Sequence, residues 1–454
     1  MASQTASLSS YELRNMADAS MNSPVVSHTQ ENVAENNEIE VPSLPPTDHG
    51  KAAYLVLLGC TVLQAPIWAY SLSFGVFQAY YTTQHPLTGS PSTLATIGTT
   101  LNGVIYLSMP LTFTLLTRYP LLRRYCAPLG LLLTIISLLL SSYATSIWHL
   151  ILTQGVLNAL GSGLLFAPTS LYLSEWFVHR KGMAYGVIWA GKSAAGVAFP
   201  FLTTYFLNTY GAPKTLRIWC IASTILTLPL LFVLKPRLPL PTSRSPRPLS
   251  FAFLKNPTFW TLQIGNVIQS FGYLLPSAYL PSYAHDLGLP NLTGAILVAL
   301  FSLASTPGGI VHGILCDRSS PTLIILLSSL GSALAVFVFW GLATESPLPL
   351  LVVFALVYGF FAGGFSSTYP GVEKELKSQD EELDTGLVMG CLLGGRGVGY
   401  VVSGPVSGGL LGVWKAGGSW GGGNEYGGVV LVTGITAVLG GWGWGWKYGR
   451  KVFC

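Results

Sequence analysis

The sequence predicts an all-α membrane protein: twelve transmembrane helices in two six-helix halves, with both termini in the cytoplasm. Three observations carry that prediction. Only 9% of the 454 residues are charged and 50% are apolar, against about 25% charged in a soluble domain. Twelve stretches are long and apolar enough to cross the bilayer, which takes about 20 residues per helix. Basic residues concentrate in alternate connections between those stretches. A chain of this kind is solvated mainly by lipid, which excludes a soluble enzyme, a nucleic-acid binder and a disordered scaffold.

Residues 1–51 read as an acidic, disordered cytoplasmic tail. Of the 18 acids, seven lie in residues 1–50 together with one of the 23 bases, so the remainder holds 11 acids and 22 bases. The tail's Ser, Asn, Glu and Pro content cannot bury enough surface to fold, and no apolar stretch in it resembles a signal peptide. The amino-terminal half, 52–234, holds spans at about 53–80, 94–117, 127–146, 149–173, 182–206 and 216–234. Residues 235–256, KPRLPLPTSRSPRPLSFAFLKN, carry five bases, five prolines and no acid, the composition of a linker. The carboxyl-terminal half, 257–446, holds spans at about 257–283, 292–316, 322–342, 348–369, 386–413 and 427–446, and residues 447–454 form a short basic tail. With the amino terminus inside, sixteen bases fall on the cytoplasmic side and three, Lys214, Arg217 and Lys415, on the other. The six cysteines show neither a CxxC pair nor metal-ligand spacing and read as small buried residues.

The stretch Trp176 to Gly196, WFVHRKGMAYGVIWAGKSAAG, runs a basic turn into a helix with Gly182, Gly186, Ala190, Gly191 and Ala195 about four residues apart. Small residues at that spacing let helices approach closely in lipid. This stretch resembles the fifth-span signature of the monocarboxylate transporter family of the major facilitator superfamily. SFGVFQAYY (73–81), GYLLPSAYLPSYA (272–284), STPGGIVHGILCDR (305–318) and GGRGVGYVVSGPVSGGLL (394–411) resemble spans one, seven, eight and eleven of its fungal members. The resemblance covers about residues 48–446 and implies a monomeric transporter with substrate bound between the halves.

The chain departs from the family at charged places. The family's acidic motif before span one is reduced to Asp48-His49-Gly50; Leu72 stands near the place of a span-one lysine, and Gly309 and Ser305 stand where span eight commonly has an arginine and an acid. Within the predicted spans only Lys192, Arg396 and His312 are titratable at depth, with no Asp or Glu. Charges near the bilayer centre are costly and so mark function. Lys192, about 15 Å into its helix at 1.5 Å per residue, reads as an anchor for a substrate anion or as a snorkelling cation. Arg396 reads as a substrate contact or a clamp between halves. His312 reads as a proton carrier or as packing.

Helix breakers at Pro66, Pro276, Pro281 and Pro307 free backbone carbonyls that a cavity can use, and Trp68, Tyr70, Trp189, Asn266, Tyr273 and Tyr279 are candidates to line it. Arg118, Asp317 and Arg318 resemble gating contacts of the superfamily, although Thr117 replaces the acid before Arg118. The acidic run 373–384, EKELKSQDEELD, offers partners for those bases or reads as a solvated loop. No phosphate loop, zinc pattern or catalytic triad is legible, so no cofactor, nucleic-acid partner or enzymatic activity is expected. The expected function is alternating-access transport of a small organic anion or carboxylate-bearing metabolite, by proton coupling or uniport. The alternative is a facilitator or exporter of a larger metabolite, riboflavin-like or secondary. A transporter-fold nutrient sensor or a membrane enzyme belongs to a different class. The expected location is the plasma membrane, with the vacuolar membrane second.

Overall fold

The computed structural model describes residues 44–83, 88, 94–239, 246–343, 347–411 and 426–453. Most of the amino-terminal tail, to residue 43, lies outside that set, as do the side chains from Tyr448 onward, including Arg450 and Lys451. Ten helices are long and apolar enough to cross a membrane. They are α1 (Lys51–Tyr81), α2 (Thr96–Arg118), α3 (Pro120–Ser141), α4 (Ile147–Trp176), the 53-residue Lys181–Val233, α8 (Leu292–Arg318), α9 (Pro321–Trp340), α10 (Pro347–Lys377), α11 (Thr385–Gly404, continuing as helix to Leu410) and α12 (Gly427–Lys447). The longest contains two spans, because Gly211 leaves helical geometry at φ 76° and ψ 167°. Glycine adopts that backbone at no steric cost, and Pro213 fits the first turn that follows. This divides the run into α5 (181–210) and α6 (212–233). Pro257–Tyr273 and Leu275–Asp286 together make α7. With the long run divided and α7 added, the described residues hold twelve long helices, ten of the runs being apolar enough to span by composition.

Of the four prolines that the sequence singled out, Pro66 and Pro276 follow breaks, whereas Pro281 and Pro307 do not. The helix of α1 is interrupted at Leu63, three residues before Pro66, and α7 at Leu274, two before Pro276. A proline has no N–H for the carbonyl four residues earlier. Pro307, by contrast, lies inside α8 without interrupting it.

The halves meet along two helix pairs, α5 with α8 and α2 with α11. Exchanging the halves turns one pair into the other. Glycine makes both approaches possible. A Cβ on Gly182 would strike the Gly313 carbonyl, one on Gly186 the Gly309 carbonyl, and one on Gly397 the Tyr106 Cβ at 2.7 Å. Without a hydrophobic drive between helices in lipid, such backbone contact is what packing rests on.

At the end of the bundle where the basic residues gather, carboxylates complete the closure. Asp317, at the end of α8, accepts the Gly182 N–H at 2.7 Å and the Met183 N–H at 2.9 Å. A carboxylate there satisfies two orphan donors and opposes the positive end of the helix dipole. Lys181 pairs with buried Glu373 of α10, a second contact between halves. Asp48, just before α1, accepts the N–H groups of Val178 (3.1 Å), His179 (3.1 Å) and Arg180 (2.9 Å). Its own backbone has φ 60°. The counterpart at α2 and α11 has no such carboxylate. Thr117 stands there, 3.0 Å from where a Gly386 Cβ would lie, with its hydroxyl unpartnered among the described residues.

Gly182→Ala and Gly186→Ala should each lower stability by about 1–3 kcal/mol, the range for overpacking, read as the thermal unfolding midpoint of the detergent-purified protein. Gly75→Ala is the control: nothing lies within 4 Å of its Cβ position, so the midpoint should hold or rise slightly. Asp48→Ala should cost about 1–3 kcal/mol by stranding amide donors. Asp48→Asn should cost less, because asparagine tolerates positive φ and keeps one acceptor oxygen.

Candidate functional site

Lys192 leaves α5 beside Gly191, whose missing side chain lets α5 lie against the Thr61 carbonyl of α1. The ammonium is thereby placed among aromatic rings. Its Nζ lies 4.1 Å from the Trp68 ring centroid, 5.4 Å from that of Trp189 and 5.7 Å from that of Tyr106. It donates one hydrogen bond, to the Tyr106 hydroxyl at 3.2 Å. Trp68 is fixed in turn, its Nε1 donating to Gln64 Oε1 at 3.0 Å and the Gln64 amide to the Cys60 carbonyl at 2.9 Å. Ring faces stabilise a desolvated cation by up to about 2 kcal/mol each, yet they carry no compensating charge.

Arg396 is the other half's cation. It sits in GGRGVG of α11, where a Cβ on Gly395 would strike the Gln263 amide of α7 and one on Gly397 would strike Tyr106 of α2. The glycines thus let α7 and α2 close around a buried guanidinium. Its Nε donates to the Tyr400 hydroxyl at 2.6 Å, and Nη1 donates to Gln269 Oε1 at 3.1 Å and the Tyr369 hydroxyl at 3.3 Å. Nη2 makes no hydrogen bond among the described residues. Tyr273 lies 4.7 Å and Tyr400 5.2 Å below the guanidinium carbon.

The two cations face one cavity of about 50 Å³, lined by Leu72, Trp189, Lys192, Tyr273, Phe301, Arg396 and Tyr400 with Ser193, Ser302, Ser305, Ser366 and Gly363. The Tyr106 and Tyr400 rings meet edge to face at 5.1 Å and bridge the halves beside it. The Trp189 indole N–H is buried without a partner among the described residues. Among the described residues, no carboxylate lines the cavity. Buried cations without a counter-charge are costly, so the arrangement favours an anion between them, with aromatic faces for an apolar body.

Of the residues the sequence singled out, Lys192, Arg396, Trp189 and Tyr273 come together here. Asn266 stands behind them, accepting from the Tyr369 hydroxyl at 2.7 Å and donating to the Leu392 carbonyl at 2.7 Å. Tyr70 lines a different, apolar crevice with Phe77, Phe199 and Trp219. Tyr279 donates to the Ser407 hydroxyl at 3.0 Å and packs on Tyr426. His312 shares a hydrogen bond with its own helix, the Gly308 carbonyl at 2.7 Å, and packs against Phe360 and Phe361. Among the gating candidates, Asp317 joins the halves, whereas Arg118 and Arg318 are exposed and make no side-chain ion pair among the described residues. Glu373 opens the acidic run and pairs with Lys181, not with Arg118 or Arg318. Tyr106, Tyr369, Tyr400, Gln269 and Lys181 were not singled out; a tyrosine or glutamine in an apolar run carries no mark that separates a ligand from packing.

A family model for the Major Facilitator Superfamily matches residues 57–381. The Aspyridones efflux protein apdF of Emericella nidulans is 26% identical over 435 residues, 94% of this chain and 84% of that protein. The MFS transporter asaE of Aspergillus flavus is 27% identical over 403 residues, 88% of each chain. The Fujikurins efflux protein of Gibberella fujikuroi is 26% identical over 402 residues, 87% of this chain and 83% of that one. Among solved structures, the human organic anion transporter MFSD10 (TETRAN) superposes with a TM-score of 0.63 at 16% identity, covering 86% of this chain and 98% of that one, a likeness of fold. With twelve long helices in two halves and a family match over most of its length, the chain is an integral multi-pass membrane transporter that belongs to the Major Facilitator Superfamily.

Proposed function

We propose that this transporter exports an organic anion with an apolar or aromatic body, a metabolite of the secondary class, from the cytosol across the plasma membrane. The observation that carries the reading is the pair Lys192 and Arg396, one cation from each half, facing an aromatic-lined cavity that no carboxylate lines. Alternating access lets both halves grip one anion and release it to either side. The excess of bases at one end supports placing that end in the cytosol. The names of two relatives, efflux proteins for aspyridones and fujikurins, support an exported metabolite over a short monocarboxylate such as lactate. The contacts of His312 within its own helix support a packing role there.

The test is uptake into inside-out proteoliposomes of a labelled panel: lactate, pyruvate, benzoate and riboflavin. Saturable uptake of an anion with an aromatic body is expected. Lys192→Met should raise its KM by roughly tenfold or more, the worth of a charge-assisted hydrogen bond. Arg396→Lys should do likewise, since an ammonium cannot keep the guanidinium's planar fork. Uptake of anions at the wild-type KM by Lys192→Met, or saturable transport of neutral compounds alone, would contradict the proposal.

A further inference from the structure

We propose that the space between Lys192 and Arg396 also binds a small inorganic anion of the chloride class, and that this anion accompanies the return step, making the transporter an anion exchanger. The inference rests on the organic-anion reading of the same site and adds a second ligand to it. It starts from the closure of the basic end. Asp317 on the Gly182 and Met183 amides, and Glu373 on Lys181, draw the halves together there. In that conformation Lys192 and Arg396 line the same cavity. Each is surrounded by rings, hydroxyls and amides, and no carboxylate lines the space. Two cations brought together in a low-dielectric interior repel strongly. Closing the basic end therefore calls for a diffusible negative charge.

The dimensions say which charge fits. As it stands, a space of about 50 Å³ holds a few water-sized particles, the size of a compact anion, and the larger organic anion enters when alternating access opens it. The lining groups favour a compact anion. Lys192 Nζ has donors beyond its bond to Tyr106. Arg396 engages Nε and Nη1 and leaves Nη2. Trp189 is 5% exposed, and its buried indole N–H has no partner among the described residues. Three residues that carry strong donors, from α5 and α11, thus line one small space. With a monovalent anion carried each way, the cycle is electroneutral: the organic anion departs and the inorganic anion replaces its charge between the same two cations.

The experiment uses the full chain in proteoliposomes with radiolabelled chloride outside and either chloride or gluconate inside. Uptake is expected to be several-fold faster into chloride-loaded vesicles. Lys192→Met and Arg396→Gln should each reduce that exchange by roughly tenfold or more, and Lys192→Arg should keep most of it. Should the neutral variants not elute from gel filtration as the wild type does, Lys192→Arg and the gluconate arm decide. Equal chloride uptake with either internal anion, or exchange unchanged in well-folded Lys192→Met, would overturn the proposal. Benzoate uptake run in parallel separates the two readings. If it depends on Lys192 but is indifferent to internal chloride, the inorganic site falls and the organic-anion reading stands. If benzoate uptake is the same without Lys192, the organic-anion reading itself falls.

Discussion

A guanidinium and an ammonium held deep between two sets of apolar helices, with no carboxylate lining the space between them, set the terms for the rest of this molecule. The cost of such charges is met locally. Trp68, Tyr106 and Trp189 surround the lysine, while Tyr273, Tyr369, Tyr400 and Gln269 surround the arginine. These groups lower the cost of burial without neutralising the charge, which leaves the cavity ready for an anion. Much of the nearby packing follows from delivering the two cations to one place: Gly191 brings α5 to α1, and Gly395 and Gly397 bring α7 and α2 to α11.

The closure at the basic end is asymmetric, and the asymmetry has a physical consequence. At α5 and α8 a carboxylate clamps a helix start, and an ion pair and the Asp48 strap flank it. At α2 and α11 the corresponding place holds Thr117 against Gly386, and no carboxylate accepts backbone N–H groups of a helix start there among the described residues. Separating the halves at the first pair breaks charge-assisted hydrogen bonds, roughly twice as strong as neutral ones. At the second it parts van der Waals contacts. The first pair is therefore the more strongly hydrogen-bonded of the two at this end.

The spans and the two halves were legible because apolar runs of fixed length record them directly. So were Lys192 and Arg396, since a charge inside an apolar run is conspicuous. What the sequence does not record is how each helix is rotated. Tyr70 and Leu72 lie on the same span, yet Leu72 lines the cavity and Tyr70 the crevice on another side. Tyr106 and Tyr400, which bridge the halves, look like packing residues in the primary sequence. The break at Gly211 falls in the gap the span reading left between 206 and 216, although a single residue of positive φ makes the turn there. The family resemblance led to the superfamily, while the similar proteins support that broader membership and not the monocarboxylate subdivision.

The central claim is that one anion is held jointly by Lys192 and Arg396. A double-mutant cycle tests it most directly: benzoate affinity of the purified protein, by titration of tryptophan fluorescence, for wild type, Lys192→Met, Arg396→Gln and the double variant. A coupling energy above about 1 kcal/mol is predicted, since residues sharing a partner are not additive. Losses that add to within about 0.5 kcal/mol, as independent sites do, would contradict the account.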